Sequence, residues 1–336
     1  MDIGIIGFGG VAKAFIKLIV DKKEYLDSLG LDFKVKYIIR KSGGIYNKNG
    51  LNLKDLIKSN FNLDLFDFKK DIDINYIIKN NDIDTVVELT STNIENGEPG
   101  LTHMSLALNN CINVVTGNKG PILLKYRELK EIALKNKVFL GIGCTTGGAL
   151  PSINVGSFDI AGSEILSIEG ILNGTSNYIL TEMYEKEVIY EVALKQAIEN
   201  EIAEANYKLD VEGFDTASKI LILANVLMNA NLSIKDISIE GIDKIDINFI
   251  NKEKLKGNKI KLIGKVYKNN NEIKAYVKPE TLEKNHPLYF VDSKNKGVLY
   301  RTDTLGDISI IGGASGTVNA AASILRDIIN MYKGIL

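Results

Sequence analysis

The chain has 336 residues, 45% of them hydrophobic, a length that predicts two folding units rather than one core. With 41 Lys and Arg against 42 Asp and Glu the net charge is −1, so neither nucleic acid nor an anionic membrane is indicated as a partner. The 2 cysteines, Cys111 and Cys144, make no disulfide framework and suit a reducing compartment, and 2 histidines exclude a histidine-rich metal site. No apolar run has the length of a membrane span, and Met1-Asp2 leads straight into a strand-like segment, unlike a signal peptide. A cytoplasmic protein is expected.

Asp2 to Gly7 reads as a short buried strand and Gly10 to Val20 as an amphipathic helix. Between them, Gly7-Phe8-Gly9-Gly10-Val11-Ala12 is a G-x-G-x-x-A fingerprint. Gly7 permits the tight turn, Gly9 lets backbone approach a pyrophosphate, and Ala12 is small enough for close packing of helix on strand. The helix N-terminus would hold the phosphates. Strand before and helix after turn a weak motif into a strong one.

The next strand, Phe33 to Ile39, ends in Arg40-Lys41-Ser42. An NAD site usually places an acid here for the ribose hydroxyls. Two cations suit the 2′-phosphate of NADP instead, so NADP is expected in preference to NAD; a solvated basic loop is the alternative. Residues 43–82 read as loop, with helices around Leu51 to Ser59 and Ile74 to Asn80. Thr85 to Leu89 is a third strand of parallel type, followed by Thr90-Ser91-Thr92-Asn93. Loops after strand C-termini are where an open α/β sheet meets its ligand, although hydroxyls also serve as helix caps. The helix Leu101 to Asn109 carries His103, to which no role is given. Ile112 to Val115 is another strand, ending Thr116-Gly117-Asn118-Lys119-Gly120-Pro121 ahead of a helix from Ile122 to Lys135. Lys119 lies at the same sheet edge as Thr90 and can meet the nicotinamide or the substrate carboxylate; a surface lysine before a helix-opening proline is the alternative. Val138 to Ile142 is a further strand, and the glycine-rich run Gly143 to Ser152 follows.

In the second half, Ile165 to Leu172 is a strand, and Asn173 is placed to cap a helix reaching about Tyr184. Gly174 and Thr175 would offer backbone and hydroxyl groups to a small polar substrate. After a helix from Val188 to Asn200 comes Ala203 to Lys219, then the apolar run Ile220 to Met228. Asp215 and Lys219 are four apart, so on a helix they share a face. Asp215 would sit in the first turn, where the helix dipole favours a carboxylate. Lys219 falls where the helix is apolar all round, which predicts burial. Such a lysine costs free energy unless paired, and desolvation suits it to proton transfer. An ordinary salt bridge at a helix start is the plain alternative. Strands at Ile237 to Ile242, Lys259 to Tyr267, Ile273 to Lys278, Val298 to Thr302 and Ile308 to Ile311 predict one mixed sheet, with a hairpin turn at Asn269 to Glu272. Gly312 to Ala320 leads into a closing helix that ends at Tyr332.

The fold class is therefore α/β: a Rossmann-type doubly wound parallel sheet over residues 1–140, completed by 312–336, and an α+β domain on a mixed sheet over 141–311. The order of the second-half pieces resembles the homoserine dehydrogenase family. Asn173-Gly174-Thr175-Ser176-Asn177-Tyr178-Ile179-Leu180-Thr181 is followed by Ala203-Glu204, Asp210, Glu212-Gly213, Asp215 and Lys219. Thr116-x-Asn118-Lys119-x-Pro121 is similar to the family's active-site lysine segment. The family's Gly-Tyr and Asp-Pro flanks are replaced by Glu201-Ile202 and Asn206-Tyr207.

The resemblance implies NAD(P)-dependent interconversion of L-aspartate 4-semialdehyde and L-homoserine, a step toward threonine and methionine. It implies Lys219 as proton carrier, Lys119 as a positioner of substrate or nicotinamide, and Glu204, Asp215, Gly174 and Thr175 around the amino group and hydroxyl, with Asp210 orienting Lys219 or completing the polar ring around the substrate. It places Thr90, Ser91 and the Gly316 turn at the cofactor. The carbonyls of Thr146, Gly148 and Leu150 would hold Na+ or K+, although the glutamate often found near Gly143 is missing. A homodimer is implied, as is the lack of feedback inhibition through a C-terminal regulatory domain. Competing readings are a semialdehyde dehydrogenase using a Cys144 thioester, another amino-acid dehydrogenase, and a non-catalytic NADP-binding sensor.

Overall fold

Strand-forming Val and Ile runs separated by helices set up the first unit. The computed structural model describes residues 1–203, 207–270, 272–313 and 315–334. These divide into a unit of Met1–Thr145 with the segment from Gly316, and a unit of Thr146–Ser315.

Seven strands form the first sheet: β1 (Asp2–Ile6), β2 (Lys34–Arg40), β3 (Gly43–Tyr46), β4 (Phe68–Lys69), β5 (Thr85–Glu88), β6 (Asn113–Thr116) and β7 (Leu140–Gly141). Their order is β4-β3-β2-β1-β5-β6-β7. The β2-β1-β5-β6-β7 portion is parallel. The chain moves from β1 to β2 on one side and later to β5 on the other, so the switch point lies between the ends of β1 and β5. β1, β5 and β6 are buried almost throughout, as parallel strands covered on both faces must be.

The β3 and β4 strands correct the expected loop over 43–82. They pair antiparallel at the sheet edge. Gly43-Gly44 and a two-residue β4 carry little of the alternating apolar signal by which strands are found. The third-strand and helix readings hold to within a few residues. The helix expected from Ile122 begins at Lys119, because the Asn118 side chain accepts from Gly120 N–H at 3.1 Å and starts it early. The closing helix Thr317–Tyr332 contributes Ile324 and Ile328 to the core that contains Ile3, Ile5, Phe15 and Ile19. Its buried Asp327 accepts from Gly143 N–H at 2.7 Å.

The second sheet is mixed: β8 (Ile165–Ile171), β9 (Ile237–Ile239), β10 (Lys259–Asn269), β11 (Glu272–Leu282), β12 (Lys296–Thr302) and β13 (Asp307–Gly312), in the order β13-β12-β8-β10-β11-β9. β10 and β11 form a hairpin in which Asn269 faces Glu272. Against this sheet packs the Phe214–Leu227 helix, whose Ile220 to Ala224 are buried. Gly264 of β10 admits it: a Cβ there would lie 2.9 Å from Thr216 Cγ2 and 3.3 Å from Ile220 Cβ. That close approach fixes the helix turn bearing Asp215 and Lys219. Among the described residues no helix is long and apolar enough to cross a membrane.

Candidate active site

In the first unit, the turn after β1 needs Gly7: its φ is +94°, and a Cβ would come 2.4 Å from the Leu89 backbone that leaves β5. Nothing lies within 4 Å of where a Gly9 Cβ would stand, so the backbone there is open to a ligand. The Gly10–Asp21 helix has no acid in its first turn to meet its dipole. A cavity of about 770 Å³ opens here, lined by Gly7, Phe8, Gly9, Arg40, Lys41, Leu89, Thr90, Ser91 and His103 among others. These residues follow the C-terminal ends of β1, β2 and β5, with His103 on the helix after β5. A dinucleotide fits this arrangement.

Arg40 lines this cavity, whereas Val11, Ala12, Lys119 and Gly316 stand off its wall. Val11 and Ala12 belong to the core packing rather than the cavity wall, with Ala12 fully buried. Gly316 (φ +125°) precedes the closing helix, whose Thr317 Cγ2 lies 2.9 Å from a Cβ built on Gly10. Lys119 opens its helix half-buried, off the cavity wall. Arg40 is already engaged: its Nη2 meets Asp64 Oδ1 at 2.6 Å and its guanidinium lies 4.4 Å over the Phe68 ring.

The second unit gathers a polar cluster at one end of the Phe214–Leu227 helix. Lys219 Nζ donates to Asp215 Oδ2 at 2.5 Å and to the Leu172 carbonyl at 2.9 Å. The two side chains are only 15% and 12% exposed, in line with the expected burial. Asn173 does more than cap its helix: Oδ1 accepts from Ser176 N–H at 2.9 Å, while Nδ2 donates to Asp210 at 2.6 Å and Asp215 at 2.9 Å. One amide thus joins both carboxylates to the helix start at Gly174. Burial pushes the Asp210 carboxyl above its ordinary value, and the neighbouring Asp215 adds to this. Thr175 is turned inward and donates to the Ile202 carbonyl at 3.0 Å. Glu204 lies outside the described residues.

Sequence reasoning missed two features. Asn173 was seen only as a cap, although an Asn whose one side chain can cap and donate at once was a usable signal. The second is Glu88, fully buried at the end of β5. A carboxylate closing the apolar run Val86-Val87 was a usable signal, since such a charge is almost never buried without partners. His103, given no role, lies 3.4 Å from it.

The loop at Thr146, Gly148 and Leu150 fits a monovalent cation poorly. Lys296, 4% exposed, donates its ammonium to the Gly147 carbonyl at 3.1 Å. The Leu150 carbonyl accepts from Ser152 N–H at 2.8 Å. A positive charge is therefore built into this loop, which disfavours a second one beside it. Cys144 is buried, with its Sγ 3.6 Å from the Ala320 carbonyl, a structural rather than nucleophilic setting.

A dinucleotide cavity in one unit and a lysine–carboxylate cluster for acid–base work in the other define a nicotinamide-dependent oxidoreductase. The homoserine dehydrogenase family model matches residues 151–329. The homoserine dehydrogenase of Methanocaldococcus jannaschii is 39% identical over 337 residues, covering 99% of each chain. The NAD(+)-dependent homoserine dehydrogenase of Pseudomonas canavaninivorans is 33% identical over 98% of this chain and 96% of its own. A crystal structure of a provisionally named homoserine dehydrogenase from Archaeoglobus fulgidus matches with a TM-score of 0.89 at 30% identity, over 99% of both chains. The chain belongs to the homoserine dehydrogenase family.

Proposed function

We propose that the protein interconverts L-aspartate 4-semialdehyde and L-homoserine, with Lys219 as the proton carrier. The Lys219–Asp215–Asn173–Asp210 cluster is the observation that carries this reading. When bound, the nicotinamide supplies a hydride to the aldehyde carbon, or accepts it from the alcohol. In reduction, Lys219 Nζ gives a proton to the carbonyl oxygen as that oxygen gains charge; in oxidation it takes the hydroxyl proton back. Asp215 holds the Lys219 ammonium in place by its 2.5 Å bond. Asp210, together with Glu204, selects an ammonium-bearing substrate through charge-assisted bonds. The Gly174 backbone and Thr175 line the substrate end of that helix, and Lys119 positions substrate or nicotinamide.

Gly7 to Gly10 hold the pyrophosphate, and Thr90 and Ser91 border the nicotinamide. Arg40 and Lys41 favour NADP over NAD. The Pseudomonas canavaninivorans relative is named for NAD, so exchange between the two cofactors is within the family's range. No metal enters the steps. The protein acts in the cytoplasm as a homodimer.

Substrate selectivity tests this. L-homoserine should drive reduction of NADP, whereas 4-hydroxybutyrate, which lacks the amino group, should not. Equal turnover of both would defeat the assignment of the carboxylates, and no homoserine turnover with either NADP or NAD would defeat the function.

A further inference from the structure

We propose that Glu88 is the positioning residue for the nicotinamide end of the cofactor, acting through Thr90 and Asn118. This rests on the reading that NAD(P) fills the cavity after β1, β2 and β5. Glu88 is 0% exposed. Its Oε1 accepts from Thr90 N–H at 3.2 Å and from the Thr90 hydroxyl, and lies 3.4 Å from His103 Nδ1. Its Oε2 lies 3.4 Å from Thr116 Oγ1, which donates to the Glu88 carbonyl at 2.9 Å.

The network then crosses to the next loop. Thr116 Oγ1 accepts from Asn118 N–H at 2.9 Å, and Asn118 Nδ2 donates to Thr90 Oγ1 at 3.2 Å. Asn118 Oδ1 caps the helix that begins at Lys119. One carboxylate therefore ties the loop after β5, with Thr90, to the loop after β6, with Lys119. Gly100 lets its helix close over the tie, since a Cβ there would come 2.6 Å from Asn118 Nδ2 and 3.2 Å from Glu88 Oε2.

The contacts give the network its direction. Glu88 Oε1 accepts from both Thr90 donors. The Thr90 oxygen is left to accept from Asn118, which frees Asn118 Oδ1 to cap the lysine-bearing helix. A glutamine at 88 keeps one oxygen for the Thr90 donors and puts an NH2 group by Thr116 Oγ1, where it competes with Asn118 N–H for that oxygen. A carboxyl group 0% exposed needs these partners to satisfy its oxygens, which holds the tie in one geometry. The task is to hold Thr90 and Lys119 in register at the nicotinamide end, while the fingerprint turn and Arg40 serve the other end.

The test separates the two ends by titration calorimetry with NADPH and with 2′-phospho-ADP-ribose, which lacks the nicotinamide. In Glu88→Gln, NADPH should bind about tenfold more weakly, with 2′-phospho-ADP-ribose within about twofold of wild type. The KM for NADPH should rise by the same factor. Equal weakening of both ligands, or no weakening of either, would overturn the proposal. Should Glu88→Gln not fold, Thr90→Val removes the hydroxyl between Glu88 and Asn118 and should show the same split, smaller in size; a folded Thr90→Val without it also overturns the proposal. Wild-type protein that binds neither ligand would instead overturn the cofactor reading on which this rests.

Discussion

Removing either member of the Lys219–Asp215 pair should destabilise the second unit far more than removing a surface ion pair. At the observed 2.5 Å, an effective dielectric of about 20 gives a gross attraction of roughly 7 kcal/mol. Desolvation of the two groups offsets most of that. What a single substitution exposes is the cost of a charge left without its partner. Asp215→Ala leaves the Lys219 ammonium with the Leu172 carbonyl at 2.9 Å. Lys219→Met leaves Asp215 beside Asp210, with the Asn173 amide as donor to both. For a pair 15% and 12% exposed, the lower end of the buried-pair range applies, about 3 kcal/mol for each single change. The double variant leaves neither charge orphaned and should cost no more than either single change, about 3 kcal/mol, so the coupling is about 3 kcal/mol. Urea unfolding at neutral pH, followed by far-UV circular dichroism, measures all four corners of the cycle. Single effects that simply add, or that stay within about 0.5 kcal/mol of wild type, would show that the two groups do not depend on one another.

Three further outcomes follow from other parts of the molecule. Burial alone would raise the Glu169 carboxyl, but His286 at 3.1 Å, Lys265 at 2.9 Å and Arg301 at 3.5 Å outweigh it and hold it at about 2. Because the folded value lies below the ordinary 4.5, the stability is fully present above about pH 4.5 and is lost as pH falls toward 2, up to about 3 kcal/mol. Melting curves of wild type and Glu169→Gln should therefore converge on acidification; a gap that is constant with pH contradicts this. Arg40→Ala should raise the KM for NADP about tenfold, the low end for a charge-assisted bond because Asp64 already holds the guanidinium at 2.6 Å, and leave NAD nearly unaffected. Parallel losses with both cofactors would remove the 2′-phosphate role. Replacing Na+ and K+ by tetramethylammonium should leave turnover unchanged, since the Lys296 ammonium sits on the Gly147 carbonyl at 3.1 Å; strict dependence on either ion would refute this.

The parts of the fold legible in the sequence were those written in local patterns. The β1 turn could be read because Gly7 and Gly9 have backbone duties that no other residue performs there. The Asp215–Lys219 pair could be read because helical spacing alone puts them on one face. β3 and β4 were not legible, because a strand opening on a glycine pair gains its geometry from β2, and a two-residue strand gains its own from β3, rather than from their own side chains. The Glu88 network was hidden for a similar reason. Its members stand at 88, 90, 103, 116 and 118, and only the parallel register that sets Glu88 beside Thr116 brings them together. Likewise, Lys296 and Gly147 are far apart in sequence, so the charge placed in the glycine-rich loop could not be foreseen from the loop itself.

The most direct test of the account is steady-state and pre-steady-state reduction of NADP by L-homoserine, comparing wild type with Lys219→Met. The account predicts homoserine-dependent turnover in wild type and a loss of ~10²–10⁴-fold in kcat in the variant, with cofactor affinity retained. A variant that turns over at nearly the wild-type rate, or one that loses cofactor binding in parallel with activity, would contradict the role of Lys219 as proton carrier.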